Sequence, residues 1–524
     1  MTATTPLLFM EINSPDIWRW SFVEYTVGQA LRYEFQGIVI HQQSLLARLA
    51  PPSRCCKGSE LINLTLAQEH AIIYLRRVGD YCQKHHLQLW LQGEATPDSQ
   101  ELKAKFPEFF LSENNHDAFI QHFFQHTIPH ILAALPAVRG LRLSLSTPDI
   151  SNEHWKTSLK TLYQGIRQLG RLLILRDYQD KTWPRQMLRT ALETLPDDVR
   201  ASIKATELDY RPGFASNPNL LNIQSNRKWL ELDLWGLEYG WTLLPCYLLE
   251  EIQQRLAWLN QHSGGAPEAI TVRIDWEWMP DLTLNGSQNE LNLFGLAPLI
   301  HEPEVNPRHI VHRWLQQQAP TAPQHTLNAL GDIVIASHEW SCKTPTLLGR
   351  VLQCHSRPPT DLEHTLHLLH LDTRGANWTQ SFQPLMPSDD RELGVQQCQL
   401  IELENQRSRF LADYLYSRSL KLLPDSGLAE PTRRAIADGA IRALKYTHIY
   451  SAFTQALSLK LWLRKYGEQA DIRTQLAVAL RDFRQQNNEL EAWFSQHEDA
   501  HPSAFATLLN PQRIATLIAS LDND

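Results

Sequence analysis

Asp209, in Leu208-Asp209-Tyr210-Arg211-Pro212, and Glu238, in Leu237-Glu238-Tyr239-Gly240, each follow a short apolar run that reads as a β-strand. The two runs are consecutive. If they are neighbours in a parallel barrel, both carboxylates rise from one rim, and facing carboxylates are what hydrolysis of a glycosidic bond requires. Two cations stand nearby: Arg176 ends Leu172-Leu-Ile-Leu-Arg176, and Lys204 opens Lys204-Ala-Thr-Glu-Leu-Asp209. Strand alternation puts residues 204, 206 and 208 on one face, and a lysine turned inward needs a negative partner. That partner is either a fixed acid, such as Glu207 or Asp177, or a substrate carboxylate gripped by Arg176 and Lys204 together. Trp235, Trp241, Trp276 and Trp278 crowd the same rim, where they either stack on sugar rings or pack. The other strand-end groups are Glu11, His41, Glu94, Asp149, Asp177, Asp233, Asp275 and Glu277; about half are expected to cap the helices that follow.

The elements that must position these groups repeat one theme, a short apolar strand followed by an amphipathic stretch. The strands read as Leu7–Ile12, Gly37–His41, Leu87–Gln92, Leu141–Ser146, Leu172–Arg176, Ser202–Leu208, Lys228–Leu234 and Ala269–Trp276. Ser14 before Pro15 is a helix start, and Pro245–Glu251 leads into a run with helical spacing. Eight alternating units predict a (β/α)8 barrel. An open doubly wound sheet fits less well, because Ile12-Asn13-Ser14-Pro15 stands where a glycine-rich phosphate loop belongs. After Trp278 the alternation stops. Residues 279–330 read as irregular, with one helical segment over Pro307–Gln318. Helical periodicity then covers Glu392–Leu422, Pro431–Tyr466, Asp471–His497 and Pro511–Leu521. The expected domains are a catalytic barrel over 1–325 and an α-helical C-terminal domain over 326–524, which completes the pocket wall or builds a homodimer.

Composition narrows the class. A net charge of -8 over 524 residues gives no basic stripe for nucleic acid. There is no apolar stretch of membrane-spanning length and no signal-like start, and seven scattered cysteines make no disulfide framework, so a cytoplasmic protein without a membrane partner is expected. His122, His126 and His130, like His364, His367 and His370, read as ordinary helix surface.

The stretch Leu172–Tyr247 resembles the α-glucuronidases of glycoside hydrolase family 67. The points of likeness are the arginine ending strand five, the lysine five residues before Asp209-Tyr-Arg-Pro212, Asn217-Pro218, and Glu238-Tyr239 beside a glycine. Arg273-Ile-Asp-Trp-Glu-Trp278, Asn292-Leu-Phe-Gly295 and Asn306-Pro307 with Trp314 extend it. The resemblance implies that Asp209 and Glu238 flank the attacking water and that Arg176 and Lys204 hold a uronic acid carboxylate. It also implies inversion, release of a terminal uronic acid from an oligosaccharide, and no cofactor or metal. The family's general acid is a glutamate beyond strand four. Here that turn reads Ser146-Thr-Pro-Asp149-Ile150, so Asp149, or else Glu153, takes the role. The family's N-terminal β-rich domain has no counterpart before Leu7. Substrate contacts are expected from Arg176, Lys204, Trp235, Tyr239, Trp276 and Glu94. Two competing readings use the same residues: a barrel that binds uronate oligosaccharides without cutting them, and a metal-dependent barrel using His41, Glu94, Asp149 and Asp209.

Overall fold

The computed structural model describes residues 5–94, 99–110, 115–144, 152–176, 187–206, 210–214, 216–221, 223–344, 346–352, 355–371 and 394–523. Eight parallel strands close into a barrel in chain order: β1 (Leu7–Ile12), β2 (Gly37–His41), β3 (Gln88–Glu94), β4 (Val138–Ser144), β5 (Leu172–Arg176), β6 (Arg200–Lys204), β7 (Lys228–Asp233) and β8 (Ala269–Arg273). β1 pairs with β2 through Phe9 and Gly37 and closes the ring on β8 through Leu7 and Ala269. The (β/α)8 expectation holds, and β1, β2 and β5 have the expected bounds. The expected span of β6 is Ser202–Leu208; its pairing with β7 ends at Lys204 and Glu231, a last backbone bond joins Ala205 N–H to the Glu231 carbonyl at 2.9 Å, and the expected end at Leu208 lies outside the described residues.

Alternation along the strands sorts the barrel interior into layers. The lower layer is apolar: Phe9, Val39, Trp90, Ile174, Trp229 and Ala269 form one buried cluster. Phe9 stacks on Trp229 at 4.7 Å, and Trp90 meets Trp229 edge-on at 4.8 Å. Two glycines make room for these rings: a Cβ at Gly37 would lie 2.7 Å from Phe9, and one at Gly140 would lie 2.5 Å from Trp90. Further along the strands the filling turns ionic, with Glu11, His41, Arg142, Arg176, Glu231 and Arg273 all buried.

The chain divides into two compact units. The first holds Met1–Ala205, Asn219–Leu232 and Leu256–Pro280; the second holds Thr206–Pro218, Asp233–Arg255 and Asp281–Asp524. This differs from one cut at 325, because the segments that follow β6 and β7 join the helical unit. In that unit the helix Glu430–Tyr466 is buried on most sides, with the helices Val395–Leu422 and Ala470–Gln496 among its neighbours. Residues 279–330 are more regular than expected. Glu290–His301 is a helix that is apolar all round, so its sequence carries no 3.6-residue period to read. No helix among the described residues is long and apolar enough to cross a membrane.

Candidate active site

The ionic layer comes first, since it forms the floor beneath the strand ends. Arg176 Nε donates to both Glu231 oxygens at 2.9 and 3.0 Å, and its Nη2 lies 2.9 Å from Oε2. Ser202 Oγ donates to Glu231 Oε1 at 2.6 Å. Arg142 donates to Glu11 Oε2 and, at 3.0 Å, to Thr271 Oγ1. His41 Nδ1 lies 2.8 Å from Glu11 Oε1, and Arg273 Nε lies 3.8 Å from the same oxygen. Burial alone would raise both carboxyls. Arg142, His41 and Arg273 instead hold Glu11 well below the usual carboxylate range, and Arg176 and Arg142 do the same for Glu231. For His41 burial dominates over the pull of Glu11, and with Arg176 and Arg142 adding to it the imidazole falls to about 4. His41 is therefore neutral at physiological pH. The layer then holds three guanidiniums against two carboxylates, an excess of positive charge in a low dielectric.

Above this floor, at the carboxyl ends of the strands, acids are held in the opposite condition. Glu94 ends β3; burial pushes its carboxyl up, with Arg176 partly opposing. Glu277 follows β8; burial raises it too, the charge of Glu94 adds to that, and a bond from the Gln43 N–H and the charge of Arg273 oppose. Glu277 therefore feels the charge of Glu94, a second half-buried carboxyl of the barrel unit. Asp275 is fully buried and accepts from Asn13 N–H at 2.6 Å, yet burial still pushes it up to about 7. Trp276 is half-buried and receives the Arg273 guanidinium over its ring at 4.6 Å. Trp278 packs edge-on against Trp276 and remains 59 % exposed.

In the second unit the segment after β7 is held as tightly. Asp233 accepts from Gly236 and Leu237 N–H at 3.0 and 3.1 Å, and Ser356 Oγ bridges the Leu237 carbonyl and the Gly240 N–H at 2.8 and 2.9 Å. Arg211, wholly buried and two residues after Asp209, donates to the Glu238 carbonyl at 2.9 Å and to Ser341 O at 2.6 Å. The segments that follow β6 and β7 are thus pinned together at Glu238. The Glu238 side chain is 13 % exposed, with His355 Nε2 3.9 Å from Oε1. Six described non-glycine residues of this unit have positive φ: Tyr210 (72°), Trp241 (54°), Thr242 (56°), Leu348 (48°), His355 (50°) and Ser356 (64°). Such geometry costs about 1–3 kcal/mol per residue and concentrates where a side chain must be aimed.

Several expectations change. Arg176 is no free clamp: it is 2 % exposed and its charge is met by Glu231, an acid inside a strand that sequence reasoning passed over. Trp235 is fully buried, stacks on Trp241 at 6.1 Å and donates to Leu282 O at 2.8 Å, so as placed its face cannot meet a sugar. Tyr239 is also buried, its hydroxyl donating to the Asp233 carbonyl. Both are packing residues. Lys204 ends β6 at 9 % exposure. Asp149, Asp177, Glu207 and Asp209 lie outside the described residues. His41 points its Nδ1 at Glu11 amid arginines, an environment that repels a cation and counts against the metal-dependent barrel.

No protein-family model matches the chain, and no curated protein matches it by sequence. Among solved structures it is similar to a GH138 enzyme targeting pectin rhamnogalacturonan II, with a TM-score of 0.64 and 11% identity over 93% of this chain. The match spans 62% of that enzyme's length. CpGH84D, at a TM-score of 0.43 and 9% identity, is covered over 75% of its length by 99% of this chain. A GH20 module of the pneumococcal exo-β-D-N-acetylglucosaminidase StrH, at 0.34 and 9%, matches 64% of this chain over 92% of its own length. The last two are too loose to carry weight. The first shows that the chain shares its barrel fold with a glycoside hydrolase.

Proposed function

We propose that this protein is a glycoside hydrolase that releases a terminal uronic acid from an oligosaccharide, with inversion, by acid/base catalysis. The observation that carries the reading is the rim pair Glu94 and Glu277. Both are half-buried and shifted upward, and they stand at strand ends of a barrel whose next layer down is ionic and fully buried. Carboxyls raised by burial at a barrel rim are the kind of group that acid/base cleavage of a glycosidic bond draws on. The exposed face of Trp278 beside Glu277 offers a stacking surface for a sugar ring.

The uronate preference is supported by the excess positive charge of the layer beneath the rim, together with Lys204 at the end of β6. The fold neighbour's target, a rhamnogalacturonan, carries a uronic sugar in its name, which is consistent with that preference. Asp209 and Glu238 keep the roles that the resemblance gives them: Glu238, assisted by Asp209, deprotonates the attacking water, and Asp149 protonates the leaving oxygen. An inverting pair of this kind stands about 6.5–9.5 Å apart. Arg211 fixes the backbone at Glu238 through its carbonyl, and the positive-φ residues around it fit a side chain that is aimed.

The test is turnover of aryl uronides and uronic oligosaccharides by wild type and by Glu94→Gln, Glu277→Gln, Asp209→Asn and Glu238→Gln. Losses of about 10²–10⁴ in the folded variants support the assignment. Wild-type-like rates in all four remove it.

A further inference from the structure

We propose that Glu251, His338 and Cys342 form a zinc-binding site with one coordination position open to water. His338 and Cys342 stand four residues apart on one face of the helix Gln324–Lys343, and Glu251 faces them from the helix Leu249–His262. Their ligand atoms all lie within 4.8 Å of one another. Among the described residues this is the one such group of histidine, cysteine and carboxylate. The donor set is what a borderline-soft cation takes: imidazole nitrogen, thiolate sulfur and carboxylate oxygen.

The distances fit a tetrahedral ion. Zinc bonds of about 2.0–2.3 Å place neighbouring ligand atoms about 3.3–3.6 Å apart. Cys342 Sγ already lies 3.7 Å from His338 Nε2. Glu251 Oε2 lies 2.8 Å from the same nitrogen, a hydrogen bond that must lengthen by about half an ångström to admit the metal. The other carboxylate oxygen is held from behind. Arg255 donates to Glu251 Oε1 at 2.8 Å through Nε, and again through Nη2, the kind of outer support that orients a metal-binding carboxylate. His338 is about one-third exposed and Cys342 is partly so, which leaves a path for the ion and space for a water ligand.

The site also bears on a backbone segment. Gly213, at φ +75°, donates its N–H to Glu251 Oε2 at 2.9 Å, and a Cβ there would lie 2.9 Å from Cys342 Sγ. The segment carrying Tyr210 and Arg211 thus ends against the cluster, and a bound ion would fix its far end. This inference is independent of the proposed hydrolase activity.

The test uses the full chain, stripped with chelator and then given zinc or cobalt alone. One zinc per chain should survive gel filtration, and the cobalt adduct should show the near-ultraviolet thiolate charge-transfer band. Both should be lost in Cys342→Ser and His338→Gln at unchanged circular dichroism. A second readout needs no variant: alkylation of Cys342, followed by peptide mass spectrometry with Cys55 and Cys398 as internal references, should slow at least about tenfold with zinc because a bound thiolate is not nucleophilic. Zinc retention by both variants, a cobalt adduct without the thiolate band, or equal alkylation with and without zinc would each overturn the site.

Discussion

Replacing Arg176 with methionine separates a structural arginine from a substrate clamp. Arg176 is 2 % exposed, and three of the contacts that neutralise Glu231 come from its guanidinium. In the variant Glu231 loses these three contacts, its strongest neutralising ones, while Ser202 Oγ at 2.6 Å and Arg142 at 3.7 Å remain beside it. Removing one partner of a buried ion pair costs about 3–5 kcal/mol, chiefly through the uncompensated charge left behind. For a unit of this size that corresponds to a fall in Tm of about 6–20 °C. Thermal and urea unfolding followed by tryptophan fluorescence would report it, since Trp90 and Trp229 line the layer below. The double variant Arg176→Met/Glu231→Leu should recover at least half the loss, because both charges are then gone. A single variant within about 0.5 kcal/mol of wild type, together with a selective rise in KM for uronides, would refute the structural assignment and restore the clamp.

Other outcomes follow from the same site. Asp275 has its folded pKa raised from 3.8 to about 7, so its contribution is fully present below pH 3.8 and is lost as pH climbs through 7. His41 has its folded value lowered from 6.5 to about 4, so its contribution is lost as pH falls from 6.5 towards 4. The two slopes oppose between pH 4 and 6.5. Asp275→Asn should therefore gain stability relative to wild type between pH 5 and pH 8, by a few kcal/mol at order of magnitude, and should show a steeper loss on the acid side; an offset that does not vary with pH would contradict the burial argument. Trp278→Ala should raise KM several-fold at unchanged Tm, because the ring is mostly exposed; an unchanged KM would exclude it as a stacking surface.

The barrel was legible because its strands are short apolar runs bounded by polar residues, and closure follows from their number. β1, β2 and β5 carried their limits on their surface. β6 did not, since the run from Ile203 to Leu208 stays suitable for a strand after pairing with β7 ends at Glu231. Among candidate site residues, Glu94 and Glu277 could be singled out because strand ends are where barrel chemistry sits. Glu231 was hidden inside Lys-Trp-Leu-Glu-Leu-Asp, where an acid reads as an outward residue of an apolar strand; only the fold brings Arg176, 55 residues earlier, to its side. Trp235 and Tyr239 failed for the converse reason, because proximity to a rim in sequence does not say whether an aromatic face is covered. His338 and Cys342, four apart on a helix, were visible in principle. Glu251, 87 residues before His338, was not.

Proton NMR of reaction mixtures, sampled through the first turnovers on a panel of terminal uronides and matched neutral glycosides, bears most directly on whether this rim breaks glycosidic bonds. The expected spectrum shows a free uronic acid whose first-formed anomer is opposite to that of the substrate, with neutral glycosides left nearly intact and the signal abolished in Glu94→Gln/Glu277→Gln. Intact substrates throughout the panel with folded wild-type protein, or release that persists in that double variant, would contradict it.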